Sequence, residues 1–322
     1  MEPTNAYFKA TLNKTKELGS AQINALQDYY SSQELADAFF SLMPATGITG
    51  SKIVYVPSNG TDAENGQALI DAYTEAAALT NTANNRATVL VTPGRFELSS
   101  TLVLNQDFVN VVSLTPTILG SVLITNRGID VTADDSSFVG ISCGTNRFKV
   151  NTSCVRVNFS YCEGGNYSFG ATSGAEARGI SNGVYKNCKS STYSFGYDQA
   201  FDAGEYYNCA GGLFCFGSAS NAAGIYQDCT ASSGSFGGFD GSTAGQASGR
   251  FVRCFAANDS FGGGTGSTAS GSFYYCEAAN DSFGKDANSL TGSAYYCKGS
   301  IGGFQASVGG VTLYCISNNA AL

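Results

Sequence analysis

The sequence comprises 322 residues, 43% apolar and only 13% charged, with 40 glycines and 5 prolines. That composition excludes a disordered chain and fits a β-rich body with many tight turns. The net charge of −8 comes without any concentrated basic stretch, which excludes a nucleic-acid binder and disfavours an anionic membrane surface. No apolar run approaches the roughly 20 residues that span a bilayer. Met1-Glu2-Pro3-Thr4-Asn5 lacks the basic-then-apolar pattern of a secretory signal, so synthesis in a cytoplasm is expected.

From the N-terminus, apolar residues at near-helical spacing (Tyr7, Phe8, Leu12, Leu18, then Ile23, Leu26, Tyr30, then Leu35, Phe39, Leu42) predict helix over residues 5–43. Gly19-Ser20 interrupts it, Ser31 with Glu34 offers a capping box, and Pro44, Gly47 and Gly50 end it. So short a helical segment buries little surface alone, and residues 1–50 are expected to serve attachment or oligomerisation. Lys52–Val56 reads as a strand, Ala63–Ala78 as a helix with Leu69, Ile70, Tyr73 and Ala77 on one face, and Thr88–Val91 as a second strand running into Pro93-Gly94-Arg95-Phe96-Glu97-Leu98. Short apolar strands follow at Leu102–Leu104, Val109–Val112, Val122–Ile124 and Phe138–Ile141.

Strand, helix, strand and then Pro-Gly-x-aromatic-x-Leu resembles the N-terminal part of pectin-lyase-like right-handed parallel β-helices, over roughly residues 51–320. The resemblance implies an all-β, single-stranded solenoid. A helix caps its first rungs over 51–150, and regular rungs follow over 151–322. The superfamily contains lyases, hydrolases and bacteriophage tail spikes.

The second half of the chain repeats one phrase. Cys162, Cys188, Cys209, Cys229, Cys254, Cys276, Cys297 and Cys315 are separated by 18 to 26 residues, and Phe169, Phe195, Phe216, Phe236, Phe261, Phe283 and Phe304 each lie seven residues after their cysteine. A glycine follows each Phe except Phe304. Another glycine stands five residues before seven of the cysteines, and a small residue such as Gly164, Ser190 or Ala231 stands two after. A fixed phrase at this period marks a solenoid whose rungs bury their apolar faces on one another. Strand residues two apart share a face, so the cysteines and small residues are expected inside, with stacked phenylalanines filling the lumen. An aromatic also stands three before six cysteines (Phe159, Tyr185, Tyr206, Tyr226, Phe251, Phe273). The odd offset leaves open whether these face outward or a bulge intervenes.

Equivalent residues on parallel rungs lie roughly 4.8 Å apart, near but imperfect for a disulfide, so the ladder cysteines are expected as reduced apolar filler. Cys143, Cys154 and Cys215 fall off the ladder and are the candidates for an intrachain or intersubunit bond. Cysteine catalysis needs a basic neighbour, and only Arg253, Lys189 and Lys298 adjoin ladder cysteines.

Histidine is absent, which excludes Ser-His-Asp and Cys-His nucleophile systems and the Gly-His-Gly motif of polygalacturonases. Asp134-Asp135 reads as a turn before Ser136-Ser137. The acidic candidates are Asp259 and Asp281, in Asn-Asp-Ser triplets on consecutive rungs. Stacking would set them roughly 5 Å apart, a spacing that suits a retaining glycosidase pair or a shared calcium ion; the leading reading is an Asn-Asp turn repeated because the rungs are repeated. The pairs Tyr206-Tyr207, Tyr274-Tyr275 and Tyr295-Tyr296 offer aromatics for sugar stacking or a partner subunit, one of each pair facing out if the other faces in. No cofactor or metal is expected.

The resemblance therefore implies a virion structural protein of a bacteriophage: a tail spike, tail fibre or capsid-decoration element. It would be held to other virion proteins through residues 1–50, form a homotrimer with itself, contact host surface polysaccharide and insert into no membrane. A polysaccharide lyase or glycosidase is the alternative.

Overall fold

The computed structural model describes residues 52–317 except 147, 151–153, 155, 171–179, 182, 198–200, 240, 285–289, 300–303 and 305–310. The helix expected over 5–43 lies outside the described residues.

The described chain begins with β1 (Lys52–Val56), then the helix α1 (Asp62–Ala78), then β2 (Ala87–Val91) and β3 (Gly94–Glu97). Helix α1 starts one residue earlier than its apolar face suggested, because Thr61 and Glu64 form a capping box. The Thr61 hydroxyl accepts from the Glu64 amide, and the Glu64 carboxylate accepts from the Thr61 amide at 2.8 Å. Its face Leu69, Ala72, Tyr73 and Ala76 is buried against β1, β2 and β3, which covers the apolar end of the first rung. Gly66 is obligatory at that contact, since any Cβ would collide with the backbone carbonyl of Glu97.

Beyond β3 the chain coils: β4 (Leu102–Leu104), β5 (Val109–Ser113), β6 (Val122–Thr125), β7 (Ile129–Val131), β8 (Ser137–Val139), β9 (Ile141–Ser142) and β10 (Phe148–Val150). The single strand expected over Phe138–Ile141 is two, because Gly140 turns a corner at φ +74°. All strand pairs are parallel and join equivalent residues on successive rungs. The longest sheet has 12 strands, running β1, β2, β5, β8 and then one strand from each rung to Val311–Leu313. A second face carries β3, β6, β9, Glu163–Gly164 and Lys189–Ser190. It continues through single bridges at Ala210 and Thr230 into Phe255–Ala256, Glu277–Ala278, Lys298–Gly299 and Ile316–Ser317. A third face carries β4, β7 and β10, and later Ile180–Ser181 through Thr268–Ala269. The fold is a right-handed parallel β-helix.

Four columns account for most of the bulk inside the regular rungs. One is the phenylalanine column, in which Phe195, Phe216, Phe236, Phe261 and Phe283 stack at centroid distances of 4.7 to 4.9 Å with interplanar angles of 2° to 7°. The second is the aromatic column three before each cysteine. Phe159, Tyr185, Tyr206, Tyr226, Phe251 and Phe273 are all buried and stack at 4.8 to 5.2 Å. The two columns meet edge to face, as Phe236 meets Phe251 at 6.0 Å and 87°, the arrangement that ring quadrupoles favour. The odd offset is thereby resolved. The residue between this strand and the cysteine sits in the left-handed region in every rung (φ 51° to 56° at Tyr161, Asn187, Asn208, Asp228, Arg253, Tyr275, Tyr296 and Tyr314). That single-residue corner returns the following cysteine to the inside.

The cysteines form the third column, buried from Cys162 to Cys297 and half-buried at Cys315. Each thiol has a polar duty at the corner: Cys209 Sγ donates to the Tyr185 carbonyl of the rung before (3.3 Å) and Cys254 Sγ to that of Tyr226 (3.4 Å). The fourth column, one before each Phe, is Ser168, Ser194, Cys215, Ser235, Ser260 and Ser282, all buried. Its hydroxyls take amides that the next corner leaves without a ladder partner: Phe148 N–H donates to Ser168 Oγ (2.9 Å) and Cys215 N–H to Ser235 Oγ (3.1 Å). The glycines five before the cysteines stack backbone on backbone, so that a Cβ on Gly249 would strike the Gly224 carbonyl oxygen.

Cys143, Cys154 and Cys215 form no intrachain disulfide; all eleven cysteines are free within the chain, and these three are buried. Cys215 stands in the serine column between Ser194 and Ser235, and the residue in register with Cys143 on the next rung is Gly164. Cys154 donates to the Val131 carbonyl at 3.4 Å. Neither Cys143 nor Cys215 has a cysteine as its in-register neighbour.

Phe236 is stacked on both faces and fully buried. Phe236→Ala is therefore expected to lower the unfolding free energy by about 3–5 kcal/mol, read from the urea midpoint. A shift below about 1 kcal/mol would contradict the packing described.

Candidate functional site

Among the described residues, ionisable carboxylates and bases lie in the outer columns and at one point of the lumen. The outer columns are closed by pairs between successive rungs. Arg156 binds Asp135 and Arg253 binds Asp228 through two bonds each, at 2.6 to 2.7 Å. Lys298 meets Glu277 at 2.7 Å and Lys189 meets Glu163 at 3.7 Å. The guanidinium partners hold the Asp135 and Asp228 carboxyls below the ordinary carboxylate range. Asp135 thus belongs to a structural pair, at the bend that Asp134-Asp135 forms before β8.

Asp259 and Asp281 occupy equivalent corners of adjacent rungs, each half-buried and left-handed at φ 55° and 56°. The same corner carries Tyr167 and Tyr193 at φ 55° and 56°, Phe214 at 54° and Gly234 at 69°. Asp is among the residues that tolerate this conformation best, and the preceding asparagines ladder in the same way, Asn280 N–H donating to Asn258 Oδ1 at 3.2 Å. The corner therefore accounts for both aspartates as turn residues. No group of three or more Cys, Asp or Glu converges as a metal site among the described residues, and none of their helices is long and apolar enough to cross a membrane.

The tyrosine pairs divide into two kinds. In Tyr206-Tyr207 the first ring is buried and the second lies on the outer face, its hydroxyl donating to Glu205 at 3.0 Å. Tyr274-Tyr275 and Tyr295-Tyr296 instead straddle the left-handed corner, so both rings of each pair face outward. They form two external ladders: Tyr274 on Tyr295 at 5.1 Å, and Tyr275 on Tyr296 on Tyr314 at 5.0 and 4.9 Å. Stacking occupies the faces of the inner rings, leaving edges and hydroxyls to solvent, so sugar rings have little face left to stack on. Beside them a shallow depression of about 340 Å³ is lined by Phe255, Ala256, Glu277, Ala278, Ala279, Lys298 and Gly299.

The lumen holds one carboxylate that the sequence reading did not find. Asp202 is fully buried. It is in register with Ser181 on the rung before, and Ala222, Ala247, Ala269 and Leu290 continue the column on the rungs after. It accepts from the Tyr206 and Tyr226 hydroxyls, both at 2.7 Å, and from the Gly204 amide at 3.3 Å. The available signal was the change from Phe to Tyr in the facing column on the rungs around it. Burial raises its pKa to about 6, against the lowering effect of those three bonds, and it raises both tyrosines further. Burial likewise raises Cys188 and Cys229, and pushes Cys215 up to about 12. These three thiols are protonated donors rather than nucleophiles, Cys188 included although Lys189 adjoins it.

No family model matches the chain, and no curated protein or solved structure matches it.

Two expectations follow from the buried groups. In native protein at neutral pH a water-soluble aromatic disulfide reagent should reach no ladder thiol except Cys315, and all eleven should react after denaturation. Rapid native labelling of several thiols would contradict the packing. Asp202 binds its proton more tightly folded than unfolded. Its contribution is therefore favourable below about pH 4, and stability falls as pH rises from about 4 to 6, by about 3 kcal/mol for a raise from 3.8 to about 6. Asp202→Asn should abolish that fall. A wild-type-minus-variant difference that stays flat from pH 4 to 7 would disprove it.

Proposed function

We propose that this chain is a structural protein of a bacteriophage particle, a β-helical spike, fibre or capsid-decoration element attached through residues 1–50. The observation that carries the reading is the filled lumen. Two aromatic columns, a thiol column and a serine column occupy the interior. The carboxylates Asp135, Asp228, Glu163 and Glu277 are each engaged by a basic residue of the neighbouring rung. Such a body is a stiff spacer whose ends and outer faces do the work. The particle itself is inferred from the resemblance to the superfamily that includes tail spikes. Host surface polysaccharide and a homotrimer of the chain are the partners that resemblance suggests.

The test is mass spectrometry of gradient-purified particles from a phage or induced lysogen that encodes the chain. A fixed number of copies per particle is expected. Recovery only in the particle-free fraction would overturn the reading. Glycan cleavage by the wild type that is lost in Asp259→Asn would replace it with the glycosidase alternative.

A further inference from the structure

The outer face of the first rungs is dry where a bare sheet would be wet. In the 12-stranded sheet the residues in register with Phe138 and Phe159 face the lumen, so their strand neighbours face out. Tyr55, Leu90, Val112 and Val139 form one outward column, and Ile53, Thr88 and Asn110 begin the next. On later rungs these two columns hold Asn158, Lys186 and Arg250, all exposed. On β2 and β5, by contrast, Leu90, Val112, Thr88 and Asn110 are at most 2% exposed. Among the described residues, the apolar side chains packed on Leu90 and Val112 are Ile53, Tyr55, Leu114 and Val139. These lie beside them in the sheet or at its edge, not above it. The apolar face of α1 belongs to the separate main core, and Ile118 and Leu119 of the adjoining turn are 56% and 41% exposed, so neither forms the cover. Tyr55 gives a second sign. It points out of the sheet, yet its hydroxyl is shielded from water without a hydrogen-bond partner, and burial pushes its pKa up to about 12. Strand side chains stand roughly perpendicular to the sheet, so neighbours in the same sheet cannot shield their tips.

We propose that residues 1–50 of the same chain dock on this face and cover it. Connectivity selects the occupant. The segment runs directly into β1, and Ile53 and Tyr55 of that strand belong to the face itself. So short a tether holds the segment there at an effective concentration that a free partner would have to exceed. The segment also carries what the face lacks, large apolar residues at near-helical spacing from Tyr7 to Leu42, the pattern that lays one stripe on an apolar surface. Docking of this kind fixes where an attachment segment leaves the rod. It is measured on the isolated chain, so it stands or falls apart from the particle assignment.

The experiment is photo-crosslinking in the full chain, with Val139→p-benzoylphenylalanine at the half-buried rim of the face. Irradiation should join position 139 to a peptide from residues 1–50, in a species that keeps the mass of one chain under denaturing conditions. Val252→p-benzoylphenylalanine, in the same outward column on a middle rung, should capture none of residues 1–50. Adding Leu90→Lys to the Val139 variant should abolish the capture with native thiol protection intact, because this column accepts Lys186 on a later rung. If Leu90→Lys loses thiol protection, Val112→Gln replaces it, in the column that holds Gln227. No capture of residues 1–50 at position 139, capture in a species of doubled mass, or equal capture at position 252 would overturn the proposal. So would a folded Leu90 or Val112 variant that captures the segment as its parent does.

Discussion

Parallel, in-register stacking of one rung on the next governs every column of this protein. Ring centroids repeat at 4.5 to 5.2 Å along the two internal ladders, so the nearest neighbour of each side chain is its own equivalent. A residue type persists in a column only where it attracts a copy of itself. Aromatic rings do so by stacking, and thiols and serines by bonding to the backbone of the adjacent rung. Charges do so only in alternation, as with Asp228 beneath Arg253 and Glu277 beneath Lys298, because like charges directly opposite destabilise a sheet.

The same stacking lets the chain sustain an unusual backbone. Left-handed corners recur in each rung at aromatic, acidic and even arginine positions, and each costs about 1–2 kcal/mol for a residue other than glycine. At the Phe corner the ring that follows the turn is fully buried, and burying a Phe contributes about 1.5–3 kcal/mol before stacking is counted. Burial therefore offsets the turn, and a smaller side chain there would not. At the corner before each cysteine there is at most partial burial to draw on. Asn and Asp serve on three middle rungs because they bear the conformation with least strain; tyrosine and arginine elsewhere rely on their neighbours in the column.

The interior was legible because its columns are constant. The cysteine, the Phe seven later and the glycine five before recur in phase, and strand periodicity says which of them share a face. The aromatic three before the cysteine stayed ambiguous because period-two reasoning assumes an unbroken strand. The left-handed residue that breaks it shows in sequence only as a scatter of Asn, Asp, Arg and Tyr. The serine column was present in Ser-Phe-Gly but hidden beneath the more conspicuous Phe-Gly. Asp202 lay beyond reach for another reason. It sits on a two-residue strand, Phe201–Asp202, outside the repeating phrase, and only three-dimensional registry brings it under the hydroxyls of Tyr206 and Tyr226. Cys143 and Cys215 misled because they break the cysteine spacing. Cys143 follows a core strand on the cysteine face, and Cys215 replaces a serine in a column whose task is a donor or acceptor at a corner.

The exterior was less legible for a reason that follows from the fold. The corner before each cysteine accepts an asparagine ladder, an Asp–Arg pair or stacked tyrosines, and all three satisfy the rung-to-rung rule. The fold does not choose among them, and each gives the rod a different outer surface. Asparagines and ion pairs keep the corner wet. Tyrosines leave Tyr275, Tyr296 and Tyr314 about half to three quarters exposed, a state that water disfavours and an apolar partner relieves. Where a position's structural demand is met equally by polar and aromatic residues, a run of aromatics is information about the surface rather than about the core.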